Sequence, residues 1–347
     1  MASNVECRAQ LFAFGSNGSG QLGIGHTEDV SVPHPVLGCL DVQQIACGGN
    51  HTIVTGKHGL ATSGENSDGR CFTASDSSTN NSLFLHSDKY PEAMVAATWS
   101  ASFICSAGSV HACGAGNAGE LGLGPGVQLV GTPQAIANFP PVGTKIVKIA
   151  ACMAHVVVVL TNGEVWGWGK GRKGQLDEPA ATVWSPRKFK NIGFFAVDAV
   201  CGKDFTCIFG SPSTGELFVT GPNSNDRFGV KTNAPANVRG WKKVAASWGS
   251  VFVLSESGDV TAWGRNDHGQ LPPVGLPPLS SIVAGSEHCL GLTEAGKVLA
   301  WGWGEHGNCG DPTDAKGDVK NGWNEIALSR PASAIFAGCA TSFVVAD

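Results

Sequence analysis

The chain repeats one short pattern of apolar and small residues. Two or three strand-forming residues lead into a Gly, and five residues later comes a second Gly or a substitute. Phe12-Ala13-Phe14-Gly15 runs into Gly20-Gln21-Leu22-Gly23, and Trp168-Gly169 runs into Gly174-Gln175-Leu176. The other pairs are Gly64 with Gly69, Gly114 with Gly119, Gly221 with Asp226, Gly264 with Gly269, and Gly302 with Gly307. Successive leading glycines lie 49, 50, 55, 52, 43 and 38 residues apart. That period predicts blades of four strands, about 40–50 residues each, in a propeller. The Asp at 226 is expected to tolerate a positive φ in place of Gly.

A second element precedes most of these turns: a small-residue turn followed by an apolar strand. His51, His155 and His288 mark it, with Ala101, Phe205, Ser250 and Thr341 in register. From that column to the next leading Gly is 13 to 16 residues wherever one follows. The interval holds a strand, a tight turn and a second strand. Asn162-Gly163 shows the turn best, as a pair expected to supply two positive-φ positions. The Trp or Phe before the leading Gly (Phe14, Trp168, Trp263, Trp301) is expected to fill the space between blades.

The halves are out of phase. The chain opens on a second half, Leu11 to Gly25, and ends on a first half, Ile335 to Val345. Joining them gives an all-β, seven-bladed β-propeller, closed by N- and C-terminal strands in one blade. The domain is then a single unit over 1–347, with a composite blade of 1–40 and 331–347.

Composition narrows the function. The chain holds 48 glycines, 18 prolines and ten tryptophans, and only 15% of it is charged. A formal charge of −5 speaks against direct DNA binding, which needs a basic surface. No basic segment followed by a long apolar run opens the chain, and no apolar stretch approaches the ~18 residues of a membrane span, so a cytoplasmic and nuclear protein is expected, with no membrane partner. The 12 cysteines include no Cys-x-x-Cys pair, and reduced, buried thiols are expected. Thr73 to Asn81 is rich in Ser, Asn, Asp and Thr and reads as an inserted flexible loop.

These residues resemble the chromosome-condensation-regulator repeat family over essentially the entire chain. The carriers are the leading Trp-Gly and the Gly-Gln-Leu-Gly that follows it, seen in register. Residues 12–26 and Trp301-Gly302-Trp303-Gly304-Glu305-His306-Gly307-Asn308-Cys309-Gly310 further resemble the fungal subfamily of alpha-tubulin suppressors, or killer-toxin-insensitivity proteins. The resemblance implies a non-catalytic partner of a small acidic metal-binding protein of diphthamide synthesis. That heterodimer would serve diphthamide synthesis and Elongator-dependent modification of tRNA wobble uridines, with Elongator itself a further partner. The alternative is a guanine-nucleotide exchange factor for a Ran-like GTPase, the role of the family's founding member.

Candidate chemistry is sparse. Two Gly-x-Gly-x-x-Gly strings, Gly114 to Gly119 and Gly302 to Gly307, fall on repeat turns and lack the following helix that a dinucleotide site needs. The three histidines sit in different blades and read as hydrogen-bonded structural groups. Cys201 and Cys207 lack the Cys or His partners of a zinc site. No nucleophile elbow is present. No enzyme activity, cofactor or metal of its own is therefore expected.

The loops say more. Trp168, Lys170, Arg172 and Lys173 place an aromatic beside three cations, read either as a solvated turn with an inter-blade Trp or as a landing site for an acidic partner. Trp303, with Glu305 and His306, is an aromatic the repeat does not require. Trp248 stands where other blades carry small residues such as Met153 or Ser286. All are candidate partner-binding residues.

Overall fold

The computed structural model describes residues 9–38, 41–72, 80–222 and 225–347. Most of the predicted loop from Thr73 lies outside them; its last two residues, Asn80 and Asn81, begin the strand Asn80–Ser87. Seven antiparallel sheets are arranged as a β-propeller. Blade 2 spans residues 44–87, blade 3 spans 94–135, and blade 4 spans 146–188. Blades 5, 6 and 7 span 198–220, 241–264 and 281–326.

Blade 1 closes the ring as the half-repeat count predicts. Its sheet runs outward from Ala332–Ala337 through Thr341–Ala346 and Gln10–Gly15 to Val30–Pro35. The two middle strands come from opposite chain ends and pair from Gln10↔Ala346 to Gly15↔Thr341. Phe343 and Val344 are fully buried there. The N-terminal edge therefore finds a partner strand instead of presenting open N–H and C=O groups.

Two expectations need correction. Among the described residues, blades 5 and 6 have three strands, not four. Where blade 6 would carry its outer strand, the chain reads Pro272-Pro273 and Pro277-Pro278, and prolines have no N–H to give a ladder. The 160–165 hairpin has a positive φ at Gly163 only, not at Asn162. Gly163 N–H donates to the Leu160 carbonyl at 2.9 Å, and Leu160 N–H donates to that of Glu164 at 2.9 Å. This is a type I turn closed by a glycine bulge. Asn162 serves through its side chain, whose Oδ1 accepts from Glu164 N–H.

Three recurring contacts build the seams. The leading Gly has no room for a side chain: a Cβ on Gly169, at φ +106°, would lie 2.4 Å from the Ala154 carbonyl oxygen. The tryptophan before it reaches into the preceding blade. Trp168 Nε1–H donates to Glu120 O at 2.7 Å, Trp263 to Val230 O at 2.8 Å, and Trp301 to Gln270 O at 2.9 Å. Phe14, which has no such donor, is fully buried at the same position.

The histidine column reaches the following blade. His51 Nε2 meets Ser102 Oγ at 2.7 Å, His155 meets Thr206 Oγ1 at 3.1 Å, and His288 meets Ser342 Oγ at 3.0 Å. Thr206 and Ser342 spend their hydroxyl protons on the carbonyls of Gln175 and Asn308. Nε2 of His155 and His288 must then carry the proton and donate it. Burial pushes the three imidazoles down, to about 3 for His51 and about 4 for His155 and His288. They are hydrogen-bonded structural groups, as the sequence reading held, and the structure shows them neutral and joining neighbouring blades.

Candidate functional site

In an antiparallel blade the turn between its first two strands and the turn between its last two emerge on the same side. Every leading-Gly turn and every small-residue turn therefore lies on one face of the ring. This turn face carries all the sequence-nominated residues except Trp168, which is fully buried in the blade 3–4 seam. Trp168 therefore fills the seam, as its place before the leading glycine predicts, and is withdrawn as a partner-binding residue.

The outer turns share one geometry. Gly20, Gly69 and Gly269 donate their N–H to the carbonyls of Asn17, Asn66 and Asn266. The side-chain oxygens of those asparagines accept from Leu22, Cys71 and Leu271 N–H at 2.9–3.0 Å. Gln21, Gln175 and Gln270 each accept from the backbone N–H two residues earlier, all at 2.9 Å. This explains the Gly-Gln-Leu signature: Gln ties down the turn while Leu enters the core, as fully buried Leu22 does.

Blade 5 revises the sequence alignment. Gly229 N–H donates to Asp226 O at 2.9 Å, and Val230 N–H donates to Asp226 Oδ1 at 2.8 Å. Asp226 therefore takes the Asn position, and Gly229, at φ +68°, takes the Gly position. The turn is three residues longer than the repeat requires. Asp226 has no positive φ. Its carboxylate instead collects the N–H groups of Val230, Lys231 and Thr232.

Between the Asn and Gly positions each turn displays two residues at its tip. In chain order the tips are Gly18-Ser19, Ser67-Asp68, Asn117-Ala118, Arg172-Lys173, Arg227-Phe228, Asp267-His268 and Glu305-His306. The first residue of each pair is exposed. Blades 4 and 5 thus present cations, and blades 6 and 7 present an acid followed by a histidine.

The cationic tips join Lys170, Lys203 and Arg265. Lys170 lies 3.5 Å from Asp204. Lys203 Nζ stands 5.5 Å from the Trp248 ring centroid. The guanidinium groups of Arg227 and Arg265 each lie 5.1 Å from the centre of Phe228. Around these groups, between blades 5 and 6, opens a cavity of about 350 Å³, with Lys173 at its edge and Glu287 in its wall. Burial pushes the Glu287 carboxyl up, against a hydrogen bond from Gln270 and the charge of Arg265.

The other sector is internally paired. Trp303 is half-buried between His268 and His306, with ring centroids 5.9 and 5.6 Å away. His306 Nδ1 meets Asp29 of blade 1 at 2.9 Å, and His268 Nδ1 meets Asp318 at 2.8 Å. Glu305 is exposed. Trp303, Glu305 and His306 thus gather at the blade 7–1 junction, away from the cationic tips of blades 4 and 5.

At the centre, the small-residue turns link by backbone hydrogen bonds. Trp99 N–H donates to Met153 O, Lys203 to Trp248 O, and Trp248 to Ser286 O. Trp99 and Trp248 meet over the axis with ring centroids 6.2 Å apart. Beneath them lies an axial cavity of about 100 Å³ walled in part by Cys47, Cys152, Cys201 and Cys339. Burial raises the Cys47 thiol to about 11 and those of Cys201 and Cys339 to about 12, so they stay protonated. The space is smaller than the ~300–1,000 Å³ of ordinary small-molecule sites.

Among the described residues no group of three or more His, Cys, Asp or Glu is placed to hold a metal. No described residue is helical, so neither Gly-x-Gly-x-x-Gly string opens a helix. Sequence reasoning missed Trp99, Lys203, Arg227, Phe228 and Arg265. Trp99 and Lys203 stand in the same column as Trp248, two residues before the histidine register, so that column was the available signal. Arg227 and Phe228 were hidden by aligning Asp226 with glycine.

Comparison with known proteins agrees with this architecture. The chain is 30% identical over 301 residues to an RCC1 repeat-containing protein of Schizosaccharomyces pombe, covering 80% of this chain and 83% of that one. It is 29% identical to the mouse secretion-regulating guanine nucleotide exchange factor, spanning 80% of this chain and 65% of that protein. Among solved structures, human WBSCR16 superposes with a TM-score of 0.81 at 18% identity, covering 97% of this chain and all of that one. Prp20p of Saccharomyces cerevisiae gives 0.78 at 20% identity, over 97% of this chain and 91% of that one. The RCC1-like domain profile matches residues 10–346, and the chain belongs to that family.

Proposed function

We propose that this propeller is a non-catalytic binding protein whose turn face carries a small, acidic, metal-containing protein. The pair would support diphthamide synthesis and Elongator-dependent modification of tRNA wobble uridines. The observation that carries the binding part is the cationic sector: Arg172, Lys173 and Arg227 stand out on turn tips of a chain whose formal charge is −5. An acidic partner is drawn to such a patch before close contact forms. The resemblance of residues 12–26 and 301–310 to the fungal tubulin suppressors supplies the partner's identity and its pathways.

The test is purification of the tagged chain with its bound protein, followed by mass spectrometry and metal analysis. A small acidic metalloprotein is expected with the unaltered chain, and it should be lost with Lys170→Glu, Arg172→Glu and Lys173→Glu combined. Recovery unchanged by the triple variant would remove this sector from the reading. A second reading, a guanine-nucleotide exchange factor, is favoured by the similarity to the mouse exchange factor. Release of labelled GDP from a Ran-like GTPase, accelerated by catalytic amounts of this chain, would replace the first reading.

A further inference from the structure

The cavity between blades 5 and 6 combines apolar walls with cations that have no acidic partner. Phe205, Phe228, Val230 and Trp248 supply the apolar surface. Arg265 is neutralised by Asp267 and Glu287. Asp204 faces Lys170, and Asp226 is engaged by its own loop. Among the described residues, Lys173, Lys203 and Arg227 have no carboxylate partner. Lys203 and Arg227 rest instead on aromatic faces, at 5.5 and 5.1 Å. These cations ring a cavity of about 350 Å³ that opens on the turn face.

We infer that this cavity receives an aromatic side chain flanked by carboxylates in a linear segment of a partner protein. The aromatic ring would pack on Phe228 and Trp248, and the carboxylates would reach Lys203, Arg227 and Lys173. Charge complementarity limits the occupant. A long polyanion such as nucleic acid would have to cross the acidic tip Asp267 beside the cations, whereas a short acidic segment need not. The apolar walls require more than charge, because bare anions leave them wet. The inference rests on the reading of the chain as a binding platform, and it names what one pocket of that platform takes.

The probe is a fluorescein-labelled pentapeptide, Asp-Asp-Phe-Asp-Asp, titrated with the full chain at low salt and read by anisotropy. Saturation below about 1 mM is expected, with the Asp-Asp-Ala-Asp-Asp peptide about tenfold weaker. Lys203→Glu, Arg227→Glu and Phe228→Ala should each weaken binding about tenfold, with melting curves confirming that each variant folds. Equal binding of both peptides, displacement by millimolar phosphate, or indifference to all three substitutions would overturn the inference. If the metalloprotein still co-purifies with these variants while the peptide fails, the pocket assignment falls and the platform reading stands.

Discussion

The seams between blades and the tips of the outer turns obey opposite rules. At the seams the same residue types recur: leading glycines, indoles donating to the preceding blade, and imidazoles meeting hydroxyls of the next. At the tips one backbone geometry displays Gly-Ser, Arg-Lys, Arg-Phe or Glu-His by turn. Constancy at the seams follows from close packing, where a misplaced methyl or an unpaired polar group is costly. Variation at the tips follows from exposure, where a substitution costs little stability and is free to set recognition. In a repeat protein, columns that agree describe the scaffold, and columns that disagree describe the surface by which it is told apart.

The largest test of this division breaks a seam outright. Deleting residues 336–347 removes the strand that pairs with Gln10–Gly15, together with buried Phe343, Val344 and Val345. Each such side chain contributes about 1.5–3 kcal/mol by burial, against a net stability of about 5–15 kcal/mol for a whole domain. The melting midpoint should fall by more than about 15 °C, or the cooperative transition should vanish. An unchanged melt would mean that closure of blade 1 contributes nothing.

Acid should act on the seams next. His51, His155 and His288 titrate near 3, 4 and 4 in the folded protein, against an ordinary value of 6.5. Between those limits the unfolded chain binds more protons, so stability is complete above about pH 6.5 and declines as pH falls toward 4. Each histidine contributes at most about 1.4 kcal/mol per pH unit in that window. Glu120 and Glu287, which burial holds above the usual carboxylate value, work in the opposite direction. Thermal melts at pH 7 and pH 5 should differ clearly, and His155→Gln should flatten the dependence. A variant as acid-sensitive as the unaltered chain would place the effect elsewhere.

The same division explains what the sequence disclosed. The blade count, the ring closure and the seam histidines were legible because they recur, and recurrence multiplies a weak signal. The strand missing from blade 6 was written in Pro272, Pro273, Pro277 and Pro278, yet the average period hid it. Asp226 was misaligned because a three-residue insertion moved the true glycine to 229, and side-chain hydrogen bonds, not spacing, reveal the register. The cavity between blades 5 and 6 was legible only through two of its lining residues, Lys173 and Trp248. Lys203, Arg227, Trp248 and Arg265 are far apart in sequence, and only the ring brings them together. Trp168 was legible as a seam residue from its place before the leading glycine; only its nomination as a partner anchor fails, because strand alternation turns it inward, away from the cations beside it in sequence.

The finest test compares two changes a few residues apart in blade 4. Trp168→Phe keeps the ring in the seam but removes the N–H that donates to Glu120 O, leaving that carbonyl without its partner. The cost should be about 1–3 kcal/mol, read as a lower melting midpoint, with little change in partner affinity because the side chain is fully buried. Arg172→Glu with Lys173→Glu lies on an exposed tip and should change stability by less than about 0.5 kcal/mol. Its effect should appear in association: at least about tenfold weaker capture of an acidic partner at low salt, with the difference shrinking as salt screens the charges. If the tip variant destabilised the ring as much as the seam variant, the turns would be structural. If the seam variant impaired capture as much as the tip variant, recognition would run through the blade packing itself.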